Sequence, residues 1–299
     1  MLYHSVEELV GNTPLLEFKT NEVDARIYVK LESMNPTGSI KDRACIYNIK
    51  DAIKNGKAPK NKILLDASSG NMACAIAFFG KVMGYKVKVI CNTKLTEDKK
   101  QFIKYFGAEL DVFGDITIEG NHLCKQWAET PEGQQKYCFL DQLHNPCNPM
   151  ASFETLAPEI HNDLPDVSAI AGSMGSGGSM CGVARYFKKK NPSVKIITAQ
   201  SASGTKIPGT GAFVDGDYIT PFIVELRKLY DDTFMVNQQE AEWRTAQLAE
   251  QGIFGGFQSG AVLHTLIKGI QKHKIKGNTV MIIGDSGWKN MDKLKALIK

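Results

Sequence analysis

The chain has 299 residues, 43% hydrophobic and 23% charged, a composition that excludes disordered, collagen-like and coiled-coil proteins. At ~150 residues per domain that length suggests two domains, with enough core that size alone demands no disulfide or metal staple. Thirty-six basic residues against thirty-two acidic ones leave a net charge of +4, too mild to argue for nucleic acid.

No segment reaches the ~20 apolar residues of a membrane span, and the most apolar run, Met72 to Phe79, is far short. The start, MLYHSVEELV, has no basic region and carries Glu7 and Glu8, so it does not read as a secretory signal. The seven cysteines (Cys45, Cys74, Cys91, Cys124, Cys138, Cys147 and Cys181) form an odd set without a C-x-x-C pair. No metal knuckle and no disulfide framework are expected, and reduced thiols in the cytoplasm fit best.

In chain order, Ala25 to Leu31 alternates like a strand, and Lys62 to Leu65 is a short buried strand leading through a Gly turn into a helix over Met72 to Val82. Val87 to Cys91 is the next strand, followed by a helix from about Thr96 to Phe106, a strand over Glu109 to Val112 and a helix around Ile118 to Thr130. Val167 to Ala171, Val194 to Ala199 and Thr279 to Ile283 read as further strands. This alternation predicts an α/β fold of parallel sheets with crossover helices. The turn-rich stretch His144 to Pro149 is read as a boundary, giving a smaller unit at about 40–145 and a larger one from 1–39 plus 146–299.

In such folds ligands bind on the loops that leave the carboxyl ends of strands, and four loops here are unusual. The first, Asn35 to Arg43, sets Lys41 at a helix start that Ser39 can cap; the positive end of the helix dipole there favours a neutral, nucleophilic amine. On spacing alone the better reading of Lys41 is a snorkelling surface lysine. The second, Asp66 to Asn71, offers hydroxyls, a glycine and an asparagine at a helix N-terminus, suited to a carboxylate or to plain capping. The third, Gly172 to Ser179, opens a helix around Met180 to Lys188 with glycines and hydroxyls that suit a phosphate. It lacks the Gly-Lys-Ser/Thr of a Walker loop and fails G-x-G-x-x-G at Met180, so a dinucleotide is poorly supported. The fourth is Gly284-Asp285-Ser286-Gly287, which taken alone is a plain left-handed turn.

The order of these motifs resembles the cysteine synthase and cystathionine β-synthase family, pyridoxal-phosphate enzymes of the fold shared with tryptophan synthase β. The likeness runs from Gly11-Asn12-Thr13-Pro14-Leu15 to the D-S-G turn and includes Asn145 to Ile160 and Gly252 to Ala261. It implies that Lys41 holds the cofactor as a Schiff base and then serves as acid and base at the substrate Cα. Asn71 would bond the cofactor's ring oxygen, Gly175, Ser176, Gly177, Gly178 and Ser179 would cradle its phosphate, and Ser286 would meet the pyridine nitrogen. Ser68, Ser69 and Gln142 would take the substrate carboxylate. A homodimer is implied, and with about a dozen residues after the D-S-G turn no added regulatory domain is expected.

Two departures bear on the substrate. Met72 stands where O-acetylserine-using relatives usually carry a threonine, and Gly209-Thr210-Gly211-Ala212-Phe213 differs from the usual G-I-G-A-G-F. The acidic pair Asp231-Asp232 follows an apolar and aromatic stretch. Such a pair is usually solvated surface, but Asp232 is the expected general base on water should one reach the site. The resemblance then implies a β-replacement on L-cysteine through an aminoacrylate, releasing hydrogen sulfide and adding water to give L-serine. The alternatives are an O-acetylserine sulfhydrylase and a weakly active, cofactor-binding partner protein.

Overall fold

In a computed structural model describing residues 2–68 and 70–295, the strands form two sheets. The larger contains β1 (Leu15–Phe18), β2 (Arg26–Leu31), β7 (Val167–Ser173), β8 (Lys195–Ser201), β9 (Asp232–Val236) and β10 (Asn278–Ile283). The smaller contains β3 (Ile63–Ser68), β4 (Lys86–Cys91), β5 (Glu109–Val112) and β6 (Tyr137–Phe139). Their orders are β1-β2-β10-β7-β8-β9 and β5-β4-β3-β6. Every pairing is parallel except β1 with β2, so the α/β fold of parallel and mixed sheets expected from the alternation is the fold observed.

The central strands are largely apolar because helices cover both faces of each sheet. Along β10, Met281 and Ile283 enter a core under the helices Gln238–Glu250 and Phe257–His273, while Val280 and Ile282 enter the opposite core with Val183 and Phe187 of the helix Gly178–Lys190. In the smaller sheet Leu64 and Val89 face one core, and Leu65, Ala67 and Ile90 the other. The two-residue period of a strand sorts each run between two buried faces.

β1, β6 and β9 were not expected as strands; they are edge strands of four, three and five residues, too short to show a clear period. The stretch His144 to Pro149 leads into the helix Cys147–Ala151, which packs between the helices Lys41–Lys54 and Gly178–Lys190. No helix among the described residues is long and apolar enough to cross a membrane.

Candidate active site

Parallel strands aim all their carboxyl ends the same way, and here the loops leaving both sheets open on one cavity of about 430 Å³. Lys41, Ser68, Asn71, Gln142, Ser176 and Gly284 line it, each on the loop or helix start after a strand or turn.

Just before the helix Lys41–Lys54, Ser39 Oγ accepts the Lys41 N–H at 3.0 Å, although Ile40 and not Ser39 occupies the N-cap. The Lys41 Nζ donates to Ser176 Oγ at 3.3 Å. Burial draws the Lys41 pKa down to about 8, against the pull of the nearby Asp66 carboxyl. Burial in turn pushes the Asp66 carboxyl well above its usual range. The snorkelling surface lysine is therefore not what the fold produces.

Beyond β3, Ser68 Oγ accepts the Gly70 N–H at 3.0 Å and the chain turns into the helix Asn71–Val82. Gly70 has φ +148°, which favours glycine, and a Cβ there would lie 2.7 Å from Lys99 Cδ, so the Lys99 side chain would have to shift. The Asn71 Oδ1 is buried and has no hydrogen-bond partner among the described residues. Gln142, after β6, is held by Nε2 donation to the Ala67 carbonyl and gives its own carbonyl to Asn148 Nδ2 at 2.7 Å. Ser69 lies outside the described residues. Met72 lines the cavity from the first turn of its helix, presenting a thioether where a hydroxyl was the family expectation.

The loop after β7 turns at Gly177, φ +82°, to start the helix Gly178–Lys190. A Cβ on Gly178 would lie 2.3 Å from Asn148 Oδ1, which keeps backbone and neighbouring amide in close register. Ser176 Oγ is a hub, meeting Lys41 Nζ, Asn148 Nδ2 at 3.4 Å and the Gly178 N–H at 3.4 Å. Gly175, Ser176, Gly177 and Ser179 border the cavity, so the open N–H groups of a helix N-terminus face it, the arrangement that binds a phosphate.

Two expected residues stand elsewhere. Ser286 does not line this cavity: it packs behind Gly38, its hydroxyl accepting the Trp288 N–H at 3.2 Å as the cap of the short helix Gly287–Asn290. Nor is its loop a left-handed turn, since neither Gly284 nor Gly287 has positive φ.

The acidic pair is a correction. Asp232 begins β9 and therefore lies at the amino end of a parallel strand, away from the site. Its Oδ2 meets His273 Nε2 and Lys272 Nζ, each at 2.7 Å. Asp231 pairs with Lys188 at 2.7 Å and Lys195 at 3.0 Å. Lys188 follows Gly178 by ten residues on one helix, ~15 Å along the axis from the glycine loop. Neither carboxylate lines the cavity, and Asp232 is not the base of a water-adding step.

The segment Gly209 to Phe213 borders the cavity, but the charged groups around it were not expected. Lys94, Lys99, Lys206 and Lys293 line it with Asp115 and Asp217, together with Tyr218 and Gln258. Lys206 sits close enough to Lys94 to push its pKa down. Most of these residues follow β4 and β8, and as single charged or aromatic side chains they form no local motif of their own.

The model of the family described as "Pyridoxal-phosphate dependent enzyme" matches residues 6–285. Cysteine synthase B of Escherichia coli (strain K12) is 32% identical over 289 residues, covering 95% of this chain and 93% of that protein. The O-acetylserine dependent cystathionine beta-synthase of Bacillus subtilis (strain 168) is 29% identical over 301 residues, 96% of each chain. Among solved structures, a hydrogen sulfide-producing enzyme from Fusobacterium nucleatum superposes with a TM-score of 0.88 at 29% identity, covering 97% of this chain and 98% of that one.

Proposed function

Because the chain belongs to the cysteine synthase family of pyridoxal-phosphate-dependent enzymes, we propose that it performs a β-replacement on L-cysteine, releasing hydrogen sulfide and adding water to give L-serine. One observation carries the chemistry: a lysine amine with its pKa drawn down to about 8 stands in a cavity between a carboxylate-type loop and a phosphate-type loop.

The residues present fit the cofactor. The loop from Gly175 to Ser179 would hold its phosphate, the Asn71 amide, whose Oδ1 is buried without a partner, would meet a polar atom of its ring, and Lys41 would anchor it through Nζ. When bound, pyridoxal phosphate supplies the electron sink that makes a Cα–H acidic and lets a β-substituent leave. Ser68 and the Asn71 helix start would bind the substrate carboxylate, while Gln142, locked to Ala67 and Asn148, holds that side of the cavity in place. Lys41, whose pKa of about 8 makes the neutral amine accessible, would take the Cα proton and return it.

Cysteine as substrate is supported by the likeness to a hydrogen sulfide-producing enzyme and by Met72, which stands where O-acetylserine-using relatives usually set a hydroxyl against the substrate carboxylate. The second reading, an O-acetylserine sulfhydrylase, is favoured by the identity to cysteine synthase B and uses the same residues with acetate leaving and sulfide attacking. The carbon product formed from L-cysteine alone separates them. Serine in equal amount with sulfide supports the first; no turnover of cysteine beside rapid turnover of O-acetylserine plus sulfide establishes the second. The homodimer implied by the family belongs to the same proposal and is tested by sedimentation.

A further inference from the structure

With Asp232 removed from the site, the proposed reaction has no base for water, and the cavity mouth holds a chain of groups suited to that role. Tyr218 lines the cavity, and its hydroxyl meets His144 Nε2 at 2.9 Å. His144 Nδ1 meets Asp141 Oδ1 at 2.9 Å, and the same oxygen accepts Asn121 Nδ2 at 2.9 Å. A carboxylate only accepts, so Nδ1 carries the imidazole proton and Nε2 accepts from the Tyr218 hydroxyl. The chain joins the two halves of the site: Asp141 and His144 follow β6 of the smaller sheet, and Tyr218 follows β8 of the larger. Asp141 adopts φ +51°, a left-handed conformation shared among non-glycine described residues only with Asn12 and Lys274. Its carbonyl accepts the His144 and Asn145 N–H groups, so the turn that strains Asp141 also sets the imidazole above its carboxylate.

We infer that Asp141, His144 and Tyr218 form a proton relay that activates the incoming water, with Tyr218 as the group at the cavity and His144 and Asp141 as positioning residues. The inference rests on the β-replacement reading. The C–S bond breaks with its electron pair on sulfur, which leaves as HS⁻. As water oxygen bonds to Cβ, its proton goes to Tyr218 Oη while the tyrosine proton passes to His144 Nε2. Asp141 stabilises the imidazolium, which then gives its proton to HS⁻ or solvent, so that cysteine plus water balances as serine plus hydrogen sulfide.

Water needs a base and HS⁻ does not, so the test is a partition between them. The holoenzyme is given O-acetyl-L-serine at fixed sulfide, and serine and cysteine are counted together. Tyr218→Phe and His144→Gln, the latter keeping a hydrogen bond without a relay, should each lower the serine-to-cysteine ratio roughly 10²-fold. Both products falling in step would make the contact a mere latch and overturn the relay. So would an unmodified enzyme that forms no serine from either donor. Serine formed from O-acetylserine but not from cysteine would defeat the cysteine reading and leave the relay standing. Nitrogen-15 spectra of the histidine rings add a readout independent of turnover: His144 should be protonated at Nδ1, with Nε2 shifting in Tyr218→Phe, and the opposite tautomer would overturn the assignment.

Discussion

Lys41 Nζ and Ser176 Oγ meet at 3.3 Å across 135 residues of sequence, tying a helix start on one side of the cavity to the glycine loop on the other. The contact gives the amine a neutral partner. A carboxylate in that place would hold the lysine charged, whereas a hydroxyl leaves burial free to lower its pKa to about 8.

The pH dependence of cofactor capture follows. Only the neutral amine attacks an aldehyde, and at pH 7 a group of pKa about 8 is neutral in roughly one molecule in ten. The rate at which cofactor-free protein takes up pyridoxal phosphate should rise about tenfold per pH unit below 8 and level off above it. A rate still climbing steeply beyond pH 9 would mean an ordinary lysine. Lys41→Ala should gain no cofactor mass after borohydride reduction and should lose at least roughly 10²-fold in turnover.

Removing the hub is expected to weaken cofactor binding more than it weakens the fold. Ser176→Ala deletes the oxygen shared by Lys41, Asn148 and Gly178 while leaving the backbone of the glycine loop intact. At about 1 kcal/mol per lost hydrogen bond, the cofactor Kd should rise roughly five- to tenfold in fluorescence titration.

Gly70 is held by its φ of +148°, and an added Cβ would also displace the Lys99 side chain. Gly70→Ala should destabilise the protein by about 1–3 kcal/mol, read as a lower urea midpoint at unchanged m. Because this residue sets the exit from β3 toward Asn71, the KM for the amino-acid substrate should also rise.

The signals that were legible in the sequence share one character: an apolar run followed at once by small and polar residues. Ser68 to Asn71 and Gly172 to Ser179 announce a strand ending and a helix beginning, and both loops border the cavity. Asp232 was misplaced because sequence adjacency does not say which end of a strand a residue occupies. β9 runs parallel to β8, and that alone sends Asp232 away from the site. Tyr218 and His144 are 74 residues apart, on loops of different sheets, and no local pattern brings them together. β1 escaped notice because LLEF lies on an edge, where four residues with one buried side chain show no period.

The corrected position of Asp232 has its own test. Burial disfavours its ionised form, but hydrogen bonds from Lys272, His273 and the Thr233 N–H outweigh that and hold the carboxyl below its ordinary range. A carboxyl whose pKa is lower folded than unfolded adds stability above the unfolded pKa, and that stability is lost as pH falls through the folded value. Asp232→Asn should therefore be less stable than the parent near pH 7, by roughly 1 kcal/mol for a pair at the protein surface. The gap should narrow as the pH drops below about 4. Turnover of L-cysteine and of O-acetylserine should stay within about twofold of the parent, because the side chain points to the helix Phe257–His273 and not to the cavity. A large loss of serine formation in a variant that melts like the parent would put Asp232 back in the chemistry, and the parallel register of β9 would then have to be wrong.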